Sequence, residues 1–312
     1  MWLIRSEEET NVNYGKPPEE RTVKELIKTS ILVIDKHFGP TSHQITAWVK
    51  EIFNVKKAGH AGTLDPAATG VLPIAIENAT KAIPLLMGLD KEYVGVMHLH
   101  KEVDENLLKR TVLKFIGEIV QVPPVKSAVS RRPRKRKVYY FDLIEIDGKD
   151  VLFKIGCEAG TYVRKICSDL GMTLGFGAHL KELRRTRVGN FTEENAVPLI
   201  HVYDAIKDLN EEIIRKILIP IEFAIPHVKK VFVKDSAIHS IVSGSPLFVS
   251  GITRIQDGIK PEEKVAIYSL KNELVAIGVA KMSSKEMFEK KEGTAVRTDR
   301  VFLEKGIYPK IS

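Results

Sequence analysis

Apolar and polar residues follow one another along the chain at two spacings, and each spacing predicts a type of element. Short apolar runs predict strands at residues 31–35, 71–76 and 93–100. After the first of these, Thr41 is suited to cap a helix, because apolar residues follow it three and four positions apart. Strands and helices are therefore expected to alternate through most of the chain.

The same pattern continues beyond residue 100. It predicts a helix at 106–116, a hairpin that turns at Asp147 and Gly148, and a second helix at 162–174. Leu180 lies at helical spacing from its apolar neighbours and is predicted to be a helix core residue.

Beyond Pro226 the pattern changes to short runs with β character. Four or five short strands separated by turn signals imply a small barrel of about 85 residues. One short helix is predicted at 236–242, with Asp235 as its N-cap and Gly244 after its last turn.

The change in pattern divides the chain into three parts. Residues 1–29 are charged and carry Pro17 and Pro18, so they resemble an extended arm, with packing on the C-terminal domain as one option. A large domain is expected at 30–226 and a small one at 227–312.

Charge adds a candidate partner to this picture. Lysine and arginine number 48 against 40 acidic residues, a net charge of +8, and Arg131 to Lys137 concentrate six positive charges in the run RRPRKRK. Such a run indicates a polyanionic partner, and a membrane fits less well because no apolar face accompanies it. The alternative is a solvated loop.

Few residues are suited to metal binding or disulfide formation. Cys157 and Cys167 are the two cysteines, and without histidines between them they are expected to be buried, reduced thiols. His98 and His100 alternate on one face of a predicted strand, but two ligands do not hold a metal, so ordinary strand residues and no metal site are expected. The N-terminus lacks the apolar stretch of a secretory leader, which predicts an intracellular protein.

The loop GHAGTLDPAATG could position a catalytic carboxylate. Its glycines let the backbone approach a ligand closely, and His60 places a polar aromatic ring beside Asp65. A phosphate-binding loop is excluded, because the Gly-Lys-Ser/Thr ending is missing. The alternative is that Asp65 caps a helix whose first residue is Pro66.

A second motif, GTYVRKICSDLG, predicts a partner for that carboxylate. Arg164 lies in the first turn of the predicted helix, where the helix dipole repels a cation by about 0.3 to 1 kcal/mol, so a compensating anion is expected. If the anion is Asp65, a pair about 4 Å apart gains roughly 4 kcal/mol at an effective dielectric near 20. The pair would keep Asp65 ionised in a pocket dry enough to receive a base. The alternative is that Arg164 reaches solvent.

Two tyrosines are candidates for stacking on an extruded base. Tyr93 lies in a predicted strand and Tyr162 at a predicted helix start, and aromatic rings commonly hold a nucleotide taken from its stack. Core packing is the alternative for both.

Four motifs carry a family resemblance: GHAGTLDPAATGVLPIAI, KEYVGVMHLH, GTYVRKICSDLG and GAHLKELRRTRVG. In order and spacing they resemble the TruB family of pseudouridine synthases, with most likeness to the archaeal dyskerin-type catalytic subunit of H/ACA guide-RNA particles. The resemblance implies an α+β catalytic domain with a mixed, largely antiparallel sheet, followed by a small β-barrel-like PUA domain. It also implies isomerisation of uridine to pseudouridine without a cofactor.

The resemblance also implies roles for individual residues. It makes Asp65 the catalytic residue, either as a nucleophile or as a base. The other implied residues line the uridine pocket: Tyr93, Tyr162, Arg164, Leu180, His60, which is implicated in extruding the base, and Lys36. Lys36 matches an Asp-Lys-Pro motif in which this chain has His37 in place of proline.

A guided enzyme is the expectation, because the segment after RRPRKRKVYY is too short for the extra segment of stand-alone bacterial members. The implied partners are H/ACA guide RNA, substrate rRNA with tRNA as a further option, and Nop-type, Gar-type and kink-turn-binding accessory proteins. The RNA-contact candidates are Arg131, Arg132, Arg134, Lys135, Arg136, Lys137, Gly244, Ser245, Pro246, Leu247 and Gly251. The alternatives are a stand-alone synthase acting in the tRNA T-loop and a non-catalytic RNA-binding scaffold.

Overall fold

A computed structural model of the protein describes residues 1–122 and 132–310. Arg131, the first residue of the predicted basic run, lies outside the described residues. The described chain forms two compact units. Unit 1 contains Met1–Ile31, Ile76–Ala82 and Leu218–Ser312, and unit 2 contains Leu32–Ala75 and Ile83–Ile217.

The strands are numbered in chain order. They are β1 (Trp2–Ile4), β2 (Ser30–Lys36), β3 (Ala58–His60), β4 (Thr69–Ile76), β5 (Lys91–Leu99), β6 (Gly117–Gln121), β7 (Arg134–Asp147), β8 (Asp150–Cys157), β9 (Ala178–Val188), β10 (Phe191–Thr192), β11 (Val197–Pro198), β12 (Ile219–Pro220), β13 (Lys229–Val233), β14 (Leu247–Phe248), β15 (Ile252–Gln256), β16 (Lys264–Tyr268), β17 (Leu274–Ala280) and β18 (Thr294–Val301).

The α-helices are numbered in the same way. They are α1 (Val23–Ile27), α2 (Ser42–Ile52), α3 (Ile83–Met87), α4 (Glu105–Leu113), α5 (Val163–Thr173), α6 (Leu199–Lys207), α7 (Glu211–Ile217), α8 (Ile221–Ala224), α9 (Asp235–Val242) and α10 (Ser284–Glu289).

Local sequence signals predicted several of these elements correctly. Thr41 caps α2 and accepts a hydrogen bond from the backbone N–H of Gln44, whose side chain bonds back to complete a capping box. The hairpin of β7 and β8 turns at Asp147 and Gly148, and Gly148 adopts the left-handed conformation. The predicted α+β class, with a mixed and largely antiparallel sheet, is confirmed.

The large sheet of unit 2 brings distant motifs side by side. Its strand order is β11-β2-β4-β9-β5-β8-β7-β6, with β3 beside β4 and β10 beside β9. Strand β9 runs antiparallel to β5 and parallel to β4, so it joins the strand of Tyr93 to the strand after the Asp65 loop. Helices α4 and α5 pack against strands β5, β7, β8 and β9 through one buried apolar cluster. Cys157 and Cys167 belong to this cluster, and both are free, buried thiols as predicted.

Leu180 lies on a strand, so the predicted helix at this position is wrong. It belongs to β9 and is paired with Met97 of β5. The residues of β9 bond to neighbours on both sides that lie far away in sequence. Such pairing overrides the local spacing that suggested a helix.

Unit 1 contains a seven-stranded sheet with the order β1-β15-β13-β16-β17-β18-β14. Its core is apolar, and β1 from the N-terminus extends one edge by pairing with β15. Asp235 is the first residue of α9, and Lys234 occupies the cap position that was predicted for Asp235. The Asp235 carboxylate instead accepts hydrogen bonds from the Thr10 hydroxyl and the Asn11 backbone N–H.

Among the described residues, no helix is long and apolar enough to cross a membrane.

Candidate active site

The Asp65 loop is an irregular segment between β3 and β4. Asp65 precedes a tight turn closed by the Ala68 N–H donating to the Asp65 carbonyl at 3.0 Å. No helix starts at Pro66, so the alternative role of Asp65 as a helix cap is wrong. The chain enters β4 at Thr69 and Gly70, where a positive φ of 99° suits glycine.

Ser42 holds the middle of this loop. Its hydroxyl accepts a hydrogen bond from the Leu64 N–H at 2.8 Å and donates one to the Leu64 carbonyl at 3.0 Å. Ser42 is fully buried at the first turn of α2. The helix capped by Thr41 therefore fixes the residue that immediately precedes Asp65.

Lys36 holds the end of the loop. It is fully buried at the end of β2, and its ammonium donates to the carbonyls of His37, Pro66 and Ala68 at 3.0, 3.1 and 2.7 Å. Burial lowers the pKa of Lys36, whereas the charge of nearby Asp65 acts in the opposite direction. His37, which replaces the usual proline, supplies one of these carbonyls, so the substitution is compatible with the lysine's position.

Arg185 holds the beginning of the loop, and sequence reasoning missed it. The side chain is 1% exposed and donates to the carbonyls of Val71 at 2.8 Å and Gly62 at 3.1 Å. Arg185 is paired with Tyr93 across β9 and β5 and interacts with the Tyr93 hydroxyl, and burial is the main cause of the lowered pKa of Arg185. Consecutive strand residues point to opposite faces, so Arg184-Arg185 sends one cation inward, but this signal can be used only once the segment is known to be a strand. Arg184 pairs instead with Asp35 and Glu193.

The predicted contact between Asp65 and Arg164 is present. The Arg164 guanidinium donates directly to the Asp65 carboxylate. The two side chains are 56% and 59% exposed, however, so the expectation of a dry pocket around the pair is wrong. An ion pair this exposed is worth little by itself in water.

Tyr93 lies beside the same loop on β5. It is half-buried, and burial raises the pKa of its hydroxyl, while the positive charge of Arg185 and its hydrogen bond oppose that rise. The charge of Asp65 also acts on this hydroxyl, which indicates that the two groups are near one another. The pairing of β5 with β9 therefore brings Tyr93, Arg185 and the loop into one site.

Tyr162 and Arg164 are positioned by the start of α5. Tyr162 occupies the N-cap position, and its backbone N–H and carbonyl bond to the Gln121 side chain at 3.0 and 3.1 Å. Gln121 is 3% exposed at the end of β6. This buried amide binds both backbone groups of the N-cap residue, and so fixes the turn that carries Arg164.

His60 and Leu180 complete the set of predicted pocket residues. The His60 ring packs edge-on against His43 with centroids 4.8 Å apart, and burial, followed by His43, lowers the His60 pKa. The lowered pKa favours the neutral ring at pH 7. Leu180 is half-buried and packs on the core cluster beneath β5 and β9.

The basic run is mainly a strand, so its interpretation as a loop is wrong. Arg134 to Lys137 begin β7 and pair with β6. Lys135 forms an ion pair with Glu118 at 2.8 Å, whereas Arg132 precedes the strand and is exposed. Alternation along the strand places Arg134 and Arg136 on one face and Lys135 and Lys137 on the other.

The C-terminal RNA-contact candidates differ in their accessibility. Gly244 is exposed at a positive φ of 98°, and Ser245 and Pro246 are half-buried. Leu247 is 1% exposed in the core of unit 1, so its side chain is not available to a ligand. A Cβ on Gly251 would contact Ala237 and Leu247, so a ligand could reach only the other side of the Gly251 backbone.

The strand histidines acquire neighbours that the sequence did not indicate. His98 contacts Asp150 at 2.7 Å, and His100 contacts His179 at 3.1 Å. Within residues 1–122 and 132–310, no three histidine, cysteine or acidic side chains are arranged to hold a metal ion.

Family models cover nearly the whole chain. They are described as the DKCLD (NUC011) domain at residues 1–46, the N-terminal domain of TruB family pseudouridylate synthase at 50–163, the tRNA pseudouridylate synthase B C-terminal domain at 164–225 and the PUA domain at 229–302.

Individual relatives match over almost their full length. A protein of Methanopyrus kandleri named probable tRNA pseudouridine synthase B is 51% identical over 99% of this chain and 92% of its own. A protein of Pyrococcus furiosus with the same name is 47% identical over 99% of this chain and 93% of its own. In a solved archaeal box H/ACA sRNP Nop10–Cbf5 complex, the matching chain has a TM-score of 0.92 and 44% identity, with coverage of 100% and 98%. In an H/ACA RNP bound to a substrate RNA containing 2′-deoxyuridine, the matching chain has a TM-score of 0.91 and 45% identity. This match covers 99% of the present chain and 96% of the other.

Together, the fold and the carboxylate loop define an RNA-modifying isomerase, a pseudouridine synthase. The chain belongs to the TruB family of these enzymes, as the family models and the relatives of similar length show.

The Ser42 contacts predict a specific cost. In Ser42→Ala, the buried N–H and carbonyl of Leu64 lose their partner, which we expect to lower the free energy of unfolding by about 2 kcal/mol. Activity should fall with it, because Leu64 adjoins Asp65. Urea unfolding and a pseudouridine assay measure the two effects. Thr46→Ala is the matched control in the same helix, since the Thr46 hydroxyl bonds to a helix carbonyl, and should cost about 0.5 kcal/mol. Equal effects of the two changes would contradict the assignment.

Proposed function

We propose that this pseudouridine synthase is the catalytic subunit of an H/ACA guide-RNA particle and acts on uridines of rRNA. The observation that carries the proposal is the full-length similarity to chains solved within such particles, at TM-scores of 0.91 and 0.92. The curated relatives are named for tRNA, so action on a tRNA T-loop without a guide is the second candidate.

In this proposal Asp65 is the catalytic residue. The other site residues line the uridine pocket or turn the base into it, and they are Tyr93, Tyr162, Arg164, Leu180 and His60. Lys36 is fully buried, so in this proposal it supports the loop from behind and does not line the pocket. The contacts around the loop support these roles: Arg164 touches the Asp65 carboxylate, and Lys36 binds the carbonyls of Pro66 and Ala68 that follow Asp65.

The reaction moves one glycosidic bond. The bond from C1′ of the ribose to N1 of uracil breaks, a bond from C1′ to C5 forms, C5 loses its proton and N1 gains one. Asp65 can act as a nucleophile at the sugar or as a base towards a ribose proton, and both routes need an ionised carboxylate against an extruded uridine. The Asp65–Arg164 contact suits both, because RNA bound over the exposed pair would exclude water and strengthen it.

Partners follow from the same proposal. The similar solved chains are described in complexes with Nop10 alone and with both Nop10 and Gar1. We infer that this chain binds guide RNA, substrate RNA and accessory proteins of the Nop, Gar and kink-turn-binding types. The PUA domain at 229–302 is the proposed holder of the guide, through the surface around Gly244 and the backbone of Gly251.

A groove in unit 2 supports the inference of protein partners. It has a volume of about 1090 Å³ and is lined by α2, α6 and the segment after β2. Trp48, Ile200 and Tyr203 are 39, 58 and 46% exposed in it. Exposed apolar patches of this kind mark interaction surfaces.

Asp65→Asn tests the catalytic assignment. The amide keeps the shape of the side chain but removes its charge, so the rate of pseudouridine formation should fall by a factor on the order of 10⁴. RNA binding should persist, because the neutral amide does not repel phosphate. Single-turnover tritium release from labelled uridine and a filter-binding assay measure the two. An active variant would refute the site.

Guide dependence separates the two candidate functions. The purified chain is assayed on an rRNA target uridine with and without its guide RNA and accessory proteins, and on a tRNA T-loop alone. The proposal expects strong stimulation by the complete particle on rRNA. Full activity on tRNA without a guide, together with no response to the guide, would favour the second candidate.

The basic run is testable through salt. If four of the six charges between Arg131 and Lys137 contact phosphate, the logarithm of the RNA binding constant should fall against the logarithm of salt concentration with a slope of about −3. Neutral glutamine in place of Arg132, Arg134, Lys135, Arg136 and Lys137 should flatten the slope. Glutamine in place of five exposed cations outside the run and outside the PUA domain controls for general charge: Lys101, Lys109, Arg110, Lys114 and Lys149. A slope that the first set leaves unchanged would mean that the run is simply solvated.

A further inference from the structure

Arg185 is a buried cation without a carboxylate partner among the described residues. Its guanidinium donates instead to the carbonyls of Gly62, Thr63 and Val71. It also interacts with the hydroxyl of Tyr93, its register partner on β5. Burying a charge against neutral groups is costly, and replacing such a group by an apolar one is often neutral or stabilising. Stability alone therefore gives a poor account of a cation at this position.

The surroundings of Arg185 leave it little freedom. A Cβ on Gly70 would collide with the Arg185 carbonyl, so the two backbones of β4 and β9 approach each other at the distance that only glycine permits. The register of β9 against β5 pairs Arg185 with Tyr93. The backbone that carries Arg185 is therefore fixed on both sides, by β4 and by β5.

The contacts of Arg185 connect the two halves of the proposed site. The carbonyls of Gly62 and Thr63 belong to the loop that carries Asp65, and the Tyr93 hydroxyl belongs to the proposed uridine pocket. The planar guanidinium has donors pointing in several fixed directions, which suits it to hold groups on two sides at once. A lysine ammonium carries its three donors on one nitrogen and does not span two sides of the site as the guanidinium does.

We propose that Arg185 is a positioning residue for the uridine isomerisation, which holds the Tyr93 hydroxyl and the Asp65 loop at a set separation on either side of the substrate base. The inference rests on the proposed roles of Asp65 and Tyr93. Arg185 itself touches neither the RNA nor the reacting atoms, since its side chain is 1% exposed.

Lys36 has a different task in the same site. Its ammonium binds the carbonyls of Pro66 and Ala68, which follow Asp65, and its hydrogen bonds go to backbone groups rather than to an aromatic pocket residue. Loss of Lys36 would loosen the loop alone. Loss of Arg185 would loosen the loop and the Tyr93 hydroxyl together, and this second effect can be measured.

The first test compares Arg185→Lys with Arg187→Lys in the assembled particle. Arg187 lies two residues further along β9 and contacts Gly189 and Glu92. A shift of about 1 Å in a catalytic group costs about 100-fold in rate. We expect Arg185→Lys to lower the single-turnover rate about 100-fold, with the RNA dissociation constant within about twofold of the original, whereas Arg187→Lys keeps both. A rate within about twofold of the original for Arg185→Lys would overturn the proposal.

The second test uses Tyr93→Phe in a double-mutant cycle. If Arg185 acts partly through the Tyr93 hydroxyl, the combined variant Tyr93→Phe/Arg185→Lys should be slower than Tyr93→Phe by much less than 100-fold. Fully multiplicative losses would show that Arg185 does not act through the hydroxyl and would overturn that part of the proposal. A purely structural role predicts independent effects.

The third measurement is the pH profile of Arg185→Gln, which also serves if the lysine variant fails to fold. The guanidinium opposes the rise in the Tyr93 pKa that burial causes, so its removal should move the alkaline limb of the rate profile to higher pH. An unmoved limb would count against the coupling. Asp65→Asn separates failure of the proposed function from failure of this inference. Activity in Asp65→Asn would refute the proposed active site itself. An inactive Asp65→Asn together with a fully active Arg185→Lys would refute only the positioning role of Arg185.

Discussion

The structure of the site depends on backbone carbonyls being bound by buried donors. The loop that carries Asp65 has no regular secondary structure, so its carbonyls lack the partners that a helix or sheet would provide. Arg185 binds the beginning of the loop, Ser42 the middle and Lys36 the end. Each of these side chains comes from a different element of the large sheet or its first helix, and the loop is therefore shaped by tertiary contacts.

This dependence explains which parts of the site the sequence could predict. Helix α2 and the hairpin of β7 and β8 were predictable because their signals, the Thr41 cap and the Asp147-Gly148 turn, lie within a few residues. An anionic partner for Arg164 was predictable from the helix dipole, which disfavours an unpaired cation in the first turn of α5, although the dipole does not say that the partner is Asp65. Both arguments need only local sequence.

The remaining features depend on pairing between distant segments. Leu180 lies on β9, which bonds to β5 and β4, and neither partner strand is indicated by the residues around Leu180. The burial of Arg185 follows from the same pairing. The exposure of the Asp65–Arg164 pair could not be read from the sequence either, because the solvent accessibility of a loop depends on what surrounds it in the folded protein. The domain boundaries at residues 29 and 226 stay a prediction, although the compact units divide the chain elsewhere, within β2 and at residue 218.

The openness of the Asp65–Arg164 pair has a consequence for substrate choice. Within the part of the chain that the structure describes, more than half of each of the two charged side chains is exposed, so a molecule that binds across them would complete the enclosure of the site. A lone nucleoside is too small to shield both charges, whereas a folded or guide-paired RNA can lie across them. Selection of a large, ordered substrate would then arise from solvent exclusion itself, in addition to any recognition of the nucleotide sequence.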